Sequence, residues 1–131
     1  MRNRPTLTAS DVQKMVAGCK AEAAKHKRDV TVAVVDDAGY LLYLERLDGA
    51  GPVTAEVATQ KARTAAITRR PTKGWEDRLK DRPAMLKFPG VLPIQGGVPI
   101  VHQGECVGAI GVSGVQSHED EQIANAGIAA L

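Results

Sequence analysis

Aromatic side chains are scarce in this sequence: one Trp, one Phe and two Tyr make up 3% of 131 residues. Single-stranded nucleic acid is held largely by stacking bases on such rings, so that partner class lacks its platform. Charge argues the same way. Seventeen Lys and Arg against fifteen Asp and Glu leave +2, too little for a strong footprint on a polyanion. The basic residues do cluster, at 25–28 and 69–73. No apolar run approaches the roughly 20 residues of a membrane span, and no secretory apolar stretch follows the basic residues Arg2 and Arg4. The expectation is a cytoplasmic protein with neither nucleic-acid nor membrane partners. The two cysteines, Cys19 and Cys106, do not indicate a disulfide. His26, His102 and His118 lack metal-ligand spacing, and no Ser-His-Asp or Cys-His pattern supports nucleophilic catalysis.

What remains is a chain of single-domain size, 1–131, whose core must come from Val, Ile, Leu and Ala. Thr8 and Asp11 have capping-box spacing, and Val12, Met15, Val16, Cys19 and Ala23 follow on one face of a 3.6-residue period, predicting a first helix. The β-branched stretch 30–36, the turn Asp37-Ala38-Gly39 and the stretch 40–48 predict a hairpin. Pro52 opens a second helix that ends before Pro71, with Ala55, Ala58, Ala62, Ala65 and Ala66 as its small-residue face. A short helix around Trp75 to Lys80 precedes a loop broken by Pro83, Pro89 and Gly90. A second hairpin, 98–102 and 106–112, turns at Gln103-Gly104. The last helix is expected to start with Ser117 as cap and Asp120 three residues on. Helices and hairpins in this order predict an α/β (α+β) sandwich with mostly antiparallel pairing.

Residues 96–114 carry six glycines, three of them at Gly108, Gly111 and Gly114. A dinucleotide fingerprint needs G-x-G-x-x-G at a strand-to-helix turn and a P-loop needs G-K-[ST]; neither is present. Glycine inside a strand instead permits close approach of another backbone or a flat ligand. Ala109 and Gly111 share one face of the strand and leave it thin, so a packed helix is the favoured neighbour.

Polar candidates gather at element ends. Glu45, Arg46 and Asp48 lie where the second strand meets the next helix, either recognising a ligand or fixing the loop. Lys61, inside the Ala-rich helix, is either a surface lysine or a carboxylate-binding cation. His118 falls in the first turn of the last helix, where N–H groups favour an anion.

The segments VTVAVVDDAGYLLYLERLDGA, ATQKARTA, LPIQGGVPIVHQGECVGAIGVSG and DEQIANAG together resemble the GlcG/HbpS family, which includes the C-terminal domain of PduO-type corrinoid adenosyltransferases. The resemblance implies a profilin-like three-layer α/β/α sandwich around a five-stranded antiparallel sheet, with the fifth strand near 91–95. It also implies homo-oligomers, from dimer to octamer. Members bind haem, and some degrade it or sense redox state; others accompany catabolic operons, where a small carboxylated molecule is the expected ligand. Matching motif residues include Asp36, Gly39, Arg46, Asp48, Gly49, Lys61, Thr64, Pro93, Gly96, Gly97, Pro99, Gly108, Gly111, Gly114, Asp120 and Glu121. After Val-Ser-Gly this chain departs from many relatives with Val115-Gln-Ser-His118.

Three functions follow as expectations. A haem-binding module would use His118 or His102 as iron ligand. An enzyme (hydrolase, isomerase or deaminase) would hold a carboxylate with Arg46 and Lys61, beside Thr64, Gly97 and Gly114, and use Asp48 or His118 as general acid or base. An accessory protein of a catabolic operon would use its Ala- and Gly-rich faces to hold a partner.

Overall fold

The computed structural model describes all 131 residues. In chain order they form α1 (Ala9–Lys25), β1 (Thr31–Asp36), β2 (Leu41–Arg46), α2 (Thr54–Thr68), α3 (Thr72–Arg78), a 3₁₀ turn (Pro83–Lys87), β3 (Gly97–His102), β4 (Glu105–Ser113) and α4 (Ser117–Ala129). The four strands form one antiparallel sheet in the order β2-β1-β4-β3. No helix is long and apolar enough to cross a membrane.

Local chemistry explains the element ends. The Thr8 side chain accepts from the Asp11 N–H while the Asp11 carboxylate accepts from the Thr8 N–H, closing a full capping box on α1. α4 starts one residue off expectation: Gln116, not Ser117, is the cap, in a reciprocal box with Glu119. α2 ends at Arg69, which takes the left-handed conformation and donates its N–H to the carbonyls of Ala65 and Ala66.

β1 is buried on both faces because helices cover both sides of the sheet. On one side α1 and α4 contribute Val12, Met15, Val16, Cys19, Ile123 and Ala124, packed on Val32, Val34, Ile110 and Val112. Each large side chain buried there contributes about 1.5–3 kcal/mol. On the other side α2 lays Ala58, Ala62, Ala65 and Ala66 on Ala33, Val35 and Ala109. A Cβ at Gly111 would strike the backbone of Ala58 and Ala62. The thin face of β4 is therefore the seat of α2, and the glycine run is spent on helix packing.

The expected fifth strand near 91–95 is absent; the sheet has four strands. Its backbone donors are engaged elsewhere: the Leu92 N–H goes to Thr64 Oγ1 at 2.9 Å, that of Ile94 to the Leu92 carbonyl and that of Gln95 to Glu76 Oε1. Pro93 has none to give. Only the Gly96 carbonyl joins the sheet's edge, accepting from Val112 N.

Candidate functional site

The register of the sheet sorts the candidate residues to its two ends. Thr31 of β1 pairs with Arg46 of β2 and Ser113 of β4, so Arg46, Asp48, Gly114 and His118 lie toward one end. Asp36 pairs with Gly108, and His102 with Glu105, toward the other.

At the first end the buried polar groups serve one another. Lys61 is not a surface lysine: it is 2% exposed, and its ammonium donates to the Val112 carbonyl at 3.0 Å and to Asp120 Oδ2 at 3.1 Å. The other oxygen of Asp120 accepts from Val115 N at 3.1 Å. Burial raises the Asp120 pKa, while the Lys61 charge opposes that rise. The sequence offers no sign of the pair, because 59 residues separate its members. It ties α2, on one side of the sheet, to α4, on the other. The crossing needs Gly96, held at φ +133, where a Cβ would lie 2.7 Å from the ammonium.

Thr64 is buried, its hydroxyl holding Leu92 N. Gly97 is buried with its N–H donated to Thr72 Oγ1 at 2.9 Å. Gly114, at φ +153, lies against the Asp29 carbonyl and Val30. Arg46, Asp48 and His118 are exposed. Among the hydrogen bonds and ion pairs of the side chains, none involves these three. Neither of the molecule's two hollows is lined by any of these candidates.

Both hollows open at the second end. The larger, about 160 Å³, is lined by Pro5, Thr6, Leu7, Asp11, His102, Val107 and Leu131. The smaller, about 140 Å³, lies between residues 7–9, Val12 and Gln13 of α1 and Leu42 and Tyr43 of β2. His102 is exposed beside the β3–β4 turn, where Gln103 and Gly104 both take positive φ. The sequence named His102 as a site candidate but not Leu7, Val107 or Leu131, since only the fold brings residues 5–7 over the strand ends.

The electrostatics of this end are local. Hydrogen bonds from the Thr8 N–H and hydroxyl lower the Asp11 pKa. Tyr43 donates to Glu45 Oε1 at 2.5 Å, which pushes the phenol up to about 12 and lowers the Glu45 carboxyl. Lys20 reaches the same carboxylate at 3.1 Å. Arg2, largely in solvent, pairs with Glu105 at 3.1 Å, and Arg4, 42% exposed, pairs with Asp37. Cys19 is buried, its thiol raised to about 12 by desolvation, and Cys106 is half-buried; both are free. No cluster of three metal-ligating side chains is present.

Known proteins share this architecture. The family described as "Haem degrading protein HbpS-like" matches residues 7–129. Protein GlcG of Escherichia coli (strain K12) is 40% identical over 114 residues, covering 86% of this chain and 85% of GlcG. A double mutant of Streptomyces reticuli HbpS superposes with a TM-score of 0.92 at 38% identity, covering 100% of this chain and 90% of that one. PduOC, solved as a complex with haem, superposes with a TM-score of 0.89 at 25% identity, covering 97% and 96%. On the extent of these matches, the chain belongs to the HbpS-like family.

Proposed function

We propose that this chain binds haem at the second end of the sheet, with His102 meeting the iron. The observation that carries the reading is the position of an exposed imidazole on the rim of the larger hollow, beside Leu7, Val107 and Leu131. Leu7, Val107 and Leu131 supply apolar surface and His102 a nitrogen donor of the kind that holds haem iron, while Thr6 and the Asp11 carboxylate make the rest of the lining polar. The haem complex of PduOC and the family description support the same ligand. Bound haem would supply redox and oxygen chemistry; this chain's residues would hold and orient it.

The fit is partial and informative. Ligand pockets start at about 300 Å³, and the hollow holds about 160 Å³. The hollow alone would therefore hold only part of a macrocycle, and neighbouring surface would have to cover the rest. Arg2 stands at this end in an exposed ion pair with Glu105, and Arg4 pairs with a mostly buried Asp37 that also faces Arg69. An exposed pair contributes only about 0–1 kcal/mol, so a propionate can take over Arg2. Tyr40, just before edge strand β2, and Leu41, Leu42 and Leu44 within it expose apolar surface. An uncovered apolar edge is a ready template for a second copy, and we read it as the surface through which homo-oligomers assemble.

The alternative, an enzyme acting on a small carboxylated molecule through Arg46, Lys61, Asp48 and His118, has less support. Lys61 and Thr64 are already engaged inside the protein, which leaves Arg46 to hold the substrate alone.

Titration of the purified protein with hemin tests the proposal. The wild type should develop a shifted Soret band at one equivalent. His102→Ala should lose at least about tenfold in affinity and change the ligand-field spectrum, whereas His118→Ala should match the wild type. An unchanged spectrum in His102→Ala would remove His102 as the iron ligand.

A further inference from the structure

The two edges of the sheet differ in what their backbone leaves free. At β3 the Gly97 N–H turns away from β4 and goes to Thr72 Oγ1 at 2.9 Å, while the Gly97 carbonyl accepts from the same hydroxyl at 3.4 Å. Pro99, two positions on and facing the same way, has no N–H to offer. That edge is blunted against further pairing. At β2 the Leu47 N–H turns inward to the Val30 carbonyl, and the register continues through Val32↔Glu45 to Val34↔Tyr43. The alternation of an antiparallel ladder therefore turns the N–H and C=O groups of Leu44 and Arg46 outward, where no turn or loop of the chain takes them.

We propose that β2 pairs antiparallel with β2 of a second copy about a two-fold axis at Leu44, joining two four-stranded sheets into one of eight. The inference rests on the reading of this edge as the surface of assembly and deepens it by naming the strand pairing.

The side chains fit a self-pairing at this register. Leu44 lies opposite Ala33, which α2 covers, yet Leu44 itself is 42% exposed at the margin of that cover. On the axis it meets its own copy, apolar against apolar. Outward positions pair only with outward positions, so few registers are open. An axis at Glu45 would set two carboxylates face to face, and one at Arg46 two guanidinium groups; like charges directly opposite are destabilising. An axis at Tyr43 would put the irregularity at Leu42, the residue passed over between Leu41 and Tyr43 in the pairing with β1, at the centre of both strands. With the axis at Leu44, each Glu45 faces the partner's Tyr43 and each Arg46 the partner's Leu42. No like charges then oppose, and one patch serves both copies, as a two-fold interface requires.

Cross-linking and sedimentation test the pairing. In a Cys106→Ser background, with Cys19 buried, Leu44→Cys should form a disulfide-linked dimer under mild oxidation, because facing residues of such a pair lie about 5.5 Å apart between Cα atoms. Arg46→Cys should not, since its two copies are separated by four residues along the strands, roughly 14 Å. Leu44→Pro removes the donor on the axis without touching a bond to β1, and Leu44→Lys sets two ammonium groups across it; unchanged far-UV circular dichroism checks the fold. Each should weaken association at least about tenfold by sedimentation. A cross-link in Arg46→Cys and none in Leu44→Cys overturns the register. No cross-link in either, with oligomers unchanged in Leu44→Pro and Leu44→Lys, overturns the strand pairing and leaves assembly to another surface. A monomeric wild type overturns the pairing and the assembly reading together.

Discussion

The two ends of the sheet hold similar polar residues in opposite states. At one end Lys61, Asp120, Thr64 and Thr72 are buried, and each hydrogen-bonds within the chain. At the other, His102, Arg2 and Arg4 are exposed near two hollows of mixed lining, and the two arginines pair with Glu105 and with the mostly buried Asp37. A saturated buried cation has no capacity left for a ligand, and releasing it would leave Asp120 as an unpaired internal charge. A weak exposed pair exchanges partners at little cost. Lys61 therefore acts as a tie between layers, and the second end is where a ligand can be received.

Lys61→Met should break this contrast most severely. It strands the Asp120 carboxylate and should cost about 3–5 kcal/mol in chemical denaturation. Adding Asp120→Asn removes the stranded charge, keeps an acceptor for Val115 N and should recover much of the loss. Gly111→Ala drives a methyl into the α2 backbone and should cost about 1–3 kcal/mol by the same measurement. Neither change should alter hemin affinity in protein that remains folded.

Smaller effects belong to the edge strand β2. Tyr43 is one of two tyrosines, so ultraviolet titration should show one phenol ionising at about 12. The shift is upward from 10, so the Tyr43–Glu45 bond contributes stability that is complete below pH 10 and lost as pH rises toward 12. Glu45→Gln should bring that ionisation back toward 10. Arg46→Ala, at an exposed position without an ion pair, should change stability by less than about 0.5 kcal/mol and leave hemin affinity as it was.

Local rules made much of the fold legible in the sequence. The Thr8–Asp11 spacing marks the start of α1, and the turn Gln103-Gly104 marks the second hairpin. Ala109 and Gly111 announce a close helix, because a strand without side chains on one face can bury that face only against backbone. The missing fifth strand was not legible: its fate depends on Thr64 and Glu76, residues 28 and 19 positions away from the donors they take. The site was legible in pieces. His102 stood among the candidates, yet its apolar surroundings come from residues 5–7, 107 and 131, which no periodicity joins. His118 drew notice through its helix N-terminus, and the fold leaves it in solvent away from either hollow.

The most direct measurement is a crystal structure of the hemin complex with the iron located by its anomalous scattering. The account places the iron within bonding reach of a His102 ring nitrogen, beside Leu7, Val107 and Leu131. Iron found at the opposite end beside His118, or bound with no contact to His102, would contradict it.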